Sequence, residues 1–215
     1  MTDCSWRIDG VKAECLALGA RIDLSHPGDG VRLGSAVQAF GVRPAVEDAM
    51  FPLVDYYARG TDLVASYGPC DAFPFRTEVY WRGDGVGLQF IVSVETDLLD
   101  SHPVILVLSR VSACGGVDSD YAPRMSEERV VRVQQLGGGD WCEVVHPSDQ
   151  REASHKWRFL QGGIGESRWS LFSQSLEKGV IRRARLACRL FDSDDSNTVS
   201  SWASEFAEQS IPLTV

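Results

Sequence analysis

The chain lacks any apolar run long enough to cross a bilayer as a helix. Its longest central run, Val104-Ile105-Leu106-Val107-Leu108, is strand length, whereas a span needs ~18 apolar residues or more. It also lacks positive charge in surplus. Thirty acidic against 21 basic residues leave a formal charge of −9, a field that disfavours nucleic acid and anionic membrane as partners. The opening Met1-Thr2-Asp3-Cys4-Ser5-Trp6 has no basic start leading into an apolar stretch, so no export leader is expected. The six cysteines (Cys4, Cys15, Cys70, Cys114, Cys142, Cys188) form no C-x-x-C pair. They are expected as thiols in a reducing cytoplasm, and no metal is expected.

Catalytic and cofactor signatures are missing too. There is no G-x-S-x-G, H-E-x-x-H or G-x-x-x-x-G-K-[ST], motifs that would mark an esterase elbow, a zinc protease or a phosphate loop. The clusters Gly83-Asp84-Gly85-Val86-Gly87, Gly137-Gly138-Gly139 and Gly162-Gly163-Ile164-Gly165 are not followed by helical periodicity. They are turns rather than dinucleotide loops, and no cofactor is expected. No repeat, low-complexity tract or composition break divides the 215 residues. One domain spanning 1–215 is expected, large enough to bury roughly 70% of its unfolded surface without staples.

What the chain does have is alternation. Residues 76 to 94 predict a β-hairpin with Asp84-Gly85 as its two-residue turn, since both central positions favour φ > 0. That register pairs Trp81 with Leu88, Val79 with Phe90 and Thr77 with Val92 on one face. Arg76, Glu78, Tyr80, Arg82, Gln89, Ile91 and Ser93 fall on the other. A second hairpin, Leu53 to Tyr67 with Gly60-Thr61 as its turn, puts Val54, Tyr56, Ala58, Leu63, Ala65 and Tyr67 together. A third, from Trp169 to Phe191 around Lys178-Gly179, faces Trp169 to Cys188 and Leu171 to Leu186, with Phe172 and Arg185 outside.

Further strands are predicted at Trp6–Ile8, Lys12–Leu18, Arg21–Leu24, Val37–Phe40, Val104–Val111, Arg129–Leu136, Trp141–Val145 and Trp157–Leu160. Turn signals about every ten residues argue for antiparallel connections without crossover helices. The expected fold is an all-β antiparallel β-sandwich, or flattened barrel, of roughly 10–13 strands. One C-terminal helix is added, capped by Ser196 or Asn197, with Val199, Trp202, Ala203 and Phe206 on its apolar side, a spacing of i, i+3, i+4 and i+7. A short helix at Ala45–Met50 and a long loop from Cys114 to Glu128 complete the expectation.

Four constellations carry chemistry. The first is the polar hairpin face, with Arg76, Glu78, Tyr80, Arg82, Gln89 and Glu95 as ligand-binding residues. Fixed cations, carboxylates and a phenol suit a polyhydroxylated ligand, although a one-sided sheet generates the same pattern with solvent alone. The second is Trp beside Arg at Trp6-Arg7, Trp81-Arg82, Trp157-Arg158 and Arg168-Trp169. Neighbours on a strand point to opposite faces, so a core Trp with a solvated Arg behind it is the simple account. The third is His26, His102 and His146, each before a proline, together with His155. Proline pushes its predecessor toward extended backbone at strand ends. Cys142 and His146 share a face and Glu143 lies opposite, yet spacing assembles no zinc set. The fourth, the acidic run Asp192 to Asn197, lacks the Gly and Glu of a calcium loop and serves the helix start.

The expected function is non-catalytic binding of carbohydrate or another small polar ligand at the hairpin face. A sugar-processing enzyme using Glu78, Glu95 or a histidine as acid or base is the alternative. A homo-oligomer joined through Phe172 or Ile91 is a third.

Overall fold

The computed structural model describes residues 4–46, 49–112, 124–125, 130–135, 139–191 and 196–210. In chain order the strands begin with β1 (Arg7–Asp9), β2 (Lys12–Cys15), β3 (Ala20–Asp23), β4 (Val31–Leu33) and β5 (Val37–Pro44). They continue with β6 (Leu53–Arg59), β7 (Asp62–Tyr67), β8 (Arg76–Gly83), β9 (Gly87–Glu95), β10 (Asp100–Ser101) and β11 (Ile105–Ser112). The rest are β12 (Arg124–Met125), β13 (Val130–Gln135), β14 (Gly139–Val145), β15 (Ser154–Leu160), β16 (Ile164–Leu171), β17 (Leu176–Glu177) and β18 (Arg182–Phe191). Helix α1 (Ser196–Glu208) follows. The strands number more than expected because pieces as short as β10, β12 and β17 are too brief for alternation to show.

Two eight-stranded antiparallel sheets form a sandwich. The first runs β1-β2-β3-β4-β5-β11-β16-β15 and the second β12-β13-β14-β18-β9-β8-β7-β6, while β10 and β17 pair separately. Their inner faces share one core that includes Trp81, Trp141, Trp169, Phe40, Phe90, Leu63 and Leu171. The outer face of the second sheet is covered at one end by α1. Val199, Trp202, Ala203 and Phe206 pack there on Val130, Cys142, Val144, Ala187 and Phe191, as the helical spacing predicts.

The hairpin of β8 and β9 keeps its predicted faces with a corrected register. Trp81 pairs with Phe90, Val79 with Val92 and Thr77 with Val94. The turn centres on Gly85-Val86, with Gly85 at φ +90°. Asp84 stands just before it and its Oδ1 accepts from the amides of Val86 (3.1 Å) and Gly87 (2.6 Å). Aspartate therefore caps the turn and leaves the φ > 0 position to glycine. Because the pairing moves by two residues, no side chain changes face. The hairpin of β6 and β7 has its predicted register from Arg59↔Asp62 to Asp55↔Ser66, then shifts at Val54. That bulge turns Val54 out (70% exposed) while Leu53 packs on the core.

The third hairpin is overturned. β16 pairs with β11 and β15 in the first sheet, and β18 with β14 and β9 in the second. Phe172, at φ +60° and 2% exposed, redirects the chain from one sheet toward the other. Alternation had placed Trp169, Leu171, Cys188 and Leu186 facing inward, which they do, but across the core from one another rather than along a ladder. No helix is present at Ala45–Val46 or Ala49–Met50. The predicted loop Cys114–Glu128 lies outside the described residues except for β12, and the acidic run 192–195 lies outside them entirely. Cys4, Cys15, Cys70 and Cys188 are free thiols.

Buried polar groups join the sheets. Trp6, Tyr67 and Trp81 donate to the carbonyls of Thr61 (3.1 Å), Leu24 (3.0 Å) and Phe40 (3.4 Å). At the centre of the inner faces, Glu143 of β14 is fully buried. Its carboxylate accepts from Trp141 Nε1 (3.0 Å) on its own strand and from Trp169 Nε1 (3.0 Å) and Ser167 Oγ (2.5 Å) of the opposite sheet. Ser167 gives its proton to Glu143, so its oxygen accepts from His155 Nε2 at 2.9 Å, which fixes the Nε2–H tautomer. His155 also lies against Trp169, ring centroids 4.6 Å apart.

Removing the acceptor strands several buried donors, at about 1–3 kcal/mol each. Glu143→Ala is therefore expected to destabilise the fold by at least about 3 kcal/mol, read as a lowered urea midpoint; an unchanged midpoint would refute the bridge. A second expectation concerns pH. Burial lowers the affinity of His155 for a proton, and burial together with Arg185 does the same at His146. The His146 Nδ1 accepts from the Arg185 guanidinium (2.7 Å) and the Ser148 amide (3.2 Å), which leaves that nitrogen no room for a proton. Below about pH 6.5 the unfolded chain binds protons that the folded chain does not. Stability is then lost as pH falls from there, and the double change His146→Gln, His155→Gln should flatten that slope of the urea midpoint.

Candidate functional site

The predicted binding residues all lie on the outer face of the second sheet, and the structure divides them into two groups. Arg82 is tied to Asp62 by paired bonds of 2.6 and 2.9 Å, a fork that raises its proton affinity. Gln89 stands opposite Arg82 at this end of the hairpin. Tyr80 sits mid-strand in a buried apolar patch with Val64 and Ile91, and its hydroxyl donates to Glu78 Oε1 at 2.5 Å. Burial first, and that bond second, push its phenol well above the usual range. The ring is 6% exposed, so it does not form an open stacking platform. Ile91 and Phe172 are likewise buried, which removes them as an exposed oligomer contact.

Arg76, Glu78 and Glu95 gather at the other end. Arg76 lies directly opposite Glu95 and Glu78 opposite Ser93, while the Arg76 guanidinium pairs with Asp97 at 3.5 Å. These side chains line an open groove of about 470 Å³ together with exposed Val54 and Ile181. A smaller hollow of about 180 Å³ shares Pro69, Arg76 and Glu95 with it. Thr77 Oγ1, among the groove's lining residues, is buried without a hydrogen-bond partner. Val54 and Ile181 were not foreseen as site residues: the first reaches the groove through a bulge, and the second directly precedes β18, which pairs with β9 from Arg182↔Val94 onward.

A second polar face was not foreseen at all. On the outside of the first sheet, one transverse row crosses all eight strands. It reads Arg7, Glu14, Arg21, Arg32, Gln38, Arg110, Glu166, Arg158, each residue the register partner of the next. Part of this face forms a depression of about 950 Å³ lined by Arg7, Glu14, Arg21, Arg32 and Gln38 among others. Its backbone is tightly drawn at Gly30, where a Cβ would stand 2.5 Å from the Ala39 carbonyl. The Trp-Arg doublets were the sequence signal for two of the row's arginines, Arg7 and Arg158, and for Arg168 beside it. Trp6 and Trp169 are buried and Trp157 packs against the core, so the arginine beside each is sent outward.

Glu166 anchors that row. It is fully buried and holds Arg110 (3.1 Å), Arg158 (2.7 Å) and Arg168 (3.0 Å) at once. Burial alone raises a carboxyl's proton affinity, yet the bonds from Arg158, Arg110 and Arg168 outweigh it and hold this one below the usual range. Among the described residues no three His, Cys, Asp or Glu side chains group to hold a metal ion. Within the same residues no helix is long and apolar enough to cross a membrane.

No family model matches the sequence, and no curated protein matches it. Solved structures do. A putative aldose 1-epimerase from Escherichia coli K12 superposes with a TM-score of 0.50 at 8% identity, over 89% of this chain and 99% of that one. A putative kojibiose phosphorylase from the human microbiome gives 0.48 at 10%, over 81% of this chain and 26% of that one. A heparan sulfate lyase mutant from Pedobacter heparinus gives 0.47 at 7%, over 71% and 24%. The chain spans about a quarter of the length of the last two. At these identities the likeness concerns the fold.

Replacing Glu166 by Gln removes the charge that three guanidinium groups share. The arginines are partly exposed and solvent screens them, so a loss of about 2 kcal/mol is expected rather than the 3–5 of a fully buried pair. The carboxylate's contribution is present above the ordinary carboxylate range and is lost as pH falls through its lowered folded value. Acid unfolding of Glu166→Gln should therefore be less steep below about pH 4; identical acid profiles would contradict this.

Proposed function

We propose that the protein is a non-catalytic carbohydrate-binding domain that takes its ligand in the groove at the Arg76 end of the β8–β9 hairpin. The observation that carries this reading is the direct opposition of Arg76 and Glu95 on neighbouring strands, in a groove also lined by exposed Val54 and Ile181. Guanidinium donors and carboxylate acceptors grip vicinal hydroxyls, and aliphatic walls meet the C–H face of a sugar ring. Glu78 and Ser93, paired across the hairpin, add further polar contacts lining the same space. Tyr80, Arg82 and Gln89 serve this reading as support: Tyr80 orients Glu78, and the Arg82–Asp62 fork clamps the far end of the hairpin. A fold shared with a protein described as a putative aldose 1-epimerase supports a sugar as the ligand class.

A neutral-glycan array probed with the labelled protein tests this. Binding to at least one glycan is expected, weakened roughly tenfold or more by Arg76→Ala or Glu95→Gln and unchanged by Arg59→Ala on the same sheet. No binder, or binders indifferent to both groove variants, would remove the reading.

A further inference from the structure

We infer that the outer face of the first sheet binds a linear acidic polysaccharide, a chain whose sugar carboxylates dock on Arg7, Arg21, Arg32, Arg110 and Arg158 in turn. The face lies on the opposite side of the sandwich from the hairpin groove and acts whether or not that groove takes a ligand.

Charge is the first ground. The chain carries −9 overall, yet the transverse row sets five arginines against two glutamates, a local surplus of three positive charges. Geometry is the second. Strands lie ~4.8 Å apart, so the row is about 33 Å long and most of its arginines are spaced about 10 Å. A stretched polyanion engages several of them at once, whereas a small anion meets one. The depression along β1 to β5 gives the chain a bed, in which Arg7, Lys12, Arg21 and Arg32 stand among Asp9, Glu14, Asp23 and Asp29, so the surplus of positive charge lies in the row rather than in the depression as a whole.

The chemistry of the row selects the polymer. The positive charges in the row are all arginine, whose planar fork matches a carboxylate bidentately. Glu166 shows that grip on this very face, held by Arg110, Arg158 and Arg168. One carboxylate cannot use the donors of three guanidinium groups; Arg168 Nε is left without a partner, and the side chains of Arg110 and Arg158 are 38% and 52% exposed. Glu14 and Gln38 stand between the arginines as acceptors for hydroxyl groups, which a polyuronate supplies and a phosphodiester backbone of DNA does not. No aromatic side chain lies in the row, so the base-stacking platforms of single-strand binders are missing from it. Nor does it contain the apolar residues that would enter a bilayer.

Polygalacturonate is the probe, titrated calorimetrically into the full chain, with dextran and single-stranded DNA of equal charge as comparisons. Binding of polygalacturonate and none of dextran is expected, falling steeply from about 0.05 M to about 0.5 M salt as the charges are screened. The exposed pair Arg21→Ala, Arg32→Ala should weaken it roughly tenfold or more, and Arg7→Ala, Arg158→Ala likewise, with Arg76→Ala leaving it intact. Near-ultraviolet circular dichroism checks that each variant is folded, and the two pairs alter different strands, so one misfolded pair leaves the other decisive. No binding, binding indifferent to both pairs, or equally tight binding of single-stranded DNA would each overturn the assignment. A ligand lost with Arg76→Ala instead would move it to the groove.

Discussion

The structure hangs on one buried carboxylate. Glu143 sits fully buried between the sheets, where an unpaired charge would cost several kcal/mol, and it is tolerated because donors from both sheets converge on it. Trp141 reaches it from β14, and Trp169 and Ser167 from β16. The pairs 141/143 and 167/169 are each two residues apart on their strands, so the same-face period of a strand brings both members of each pair to one point. That junction sets β14 against β16 across the core. From β16 the first sheet extends through β11 to the basic row, and from β14 the second extends through β18 and β9 to the hairpin groove. Both candidate faces are therefore positioned by elements that meet at Glu143.

The two outer faces differ although the same alternation made them. On the second sheet, apolar residues intrude on the outside: Val64, Tyr80 and Ile91 form a patch beside the helix-covered region, and the polar groups around it bond one another. What remains open is the end of the hairpin. On the first sheet one polar row runs from edge to edge, with Leu106 and Leu108 of β11 sharing the face of Arg110. Inward tryptophans drive their arginine neighbours outward, and a single buried glutamate holds two of those, Arg158 and Arg168, together with Arg110.

Much of the fold was legible. The faces of the β8–β9 hairpin, the turn at Gly60-Thr61, the buried side of α1 and the inward direction of Trp6, Trp81 and Trp169 follow from periods of 2 and 3.6. The turn of the first hairpin was placed one residue early because Asp84 both tolerates φ > 0 and caps turn amides, and here it does the second. Val54 was misplaced by a bulge, which depends on the neighbouring strand rather than on local residues. The third hairpin failed for a deeper reason. Alternation tells which side of a strand is dry but not which sheet the strand joins, and Trp169 with Cys188 satisfies inward burial equally well beside or across the core.

The candidate site shows the same division. Arg76, Glu78, Tyr80, Arg82, Gln89 and Glu95 share a face because strand periodicity alone puts them there, and the sequence determined that much, along with the net charge and the antiparallel sandwich. Which of them stay open, and the alignment of Arg7, Arg21, Arg32, Arg110 and Arg158 into one row, were decided only by tertiary structure. Those arginines lie up to 151 positions apart in the chain, and only the hydrogen-bonded register between strands, fixed by packing at a distance, brings them level.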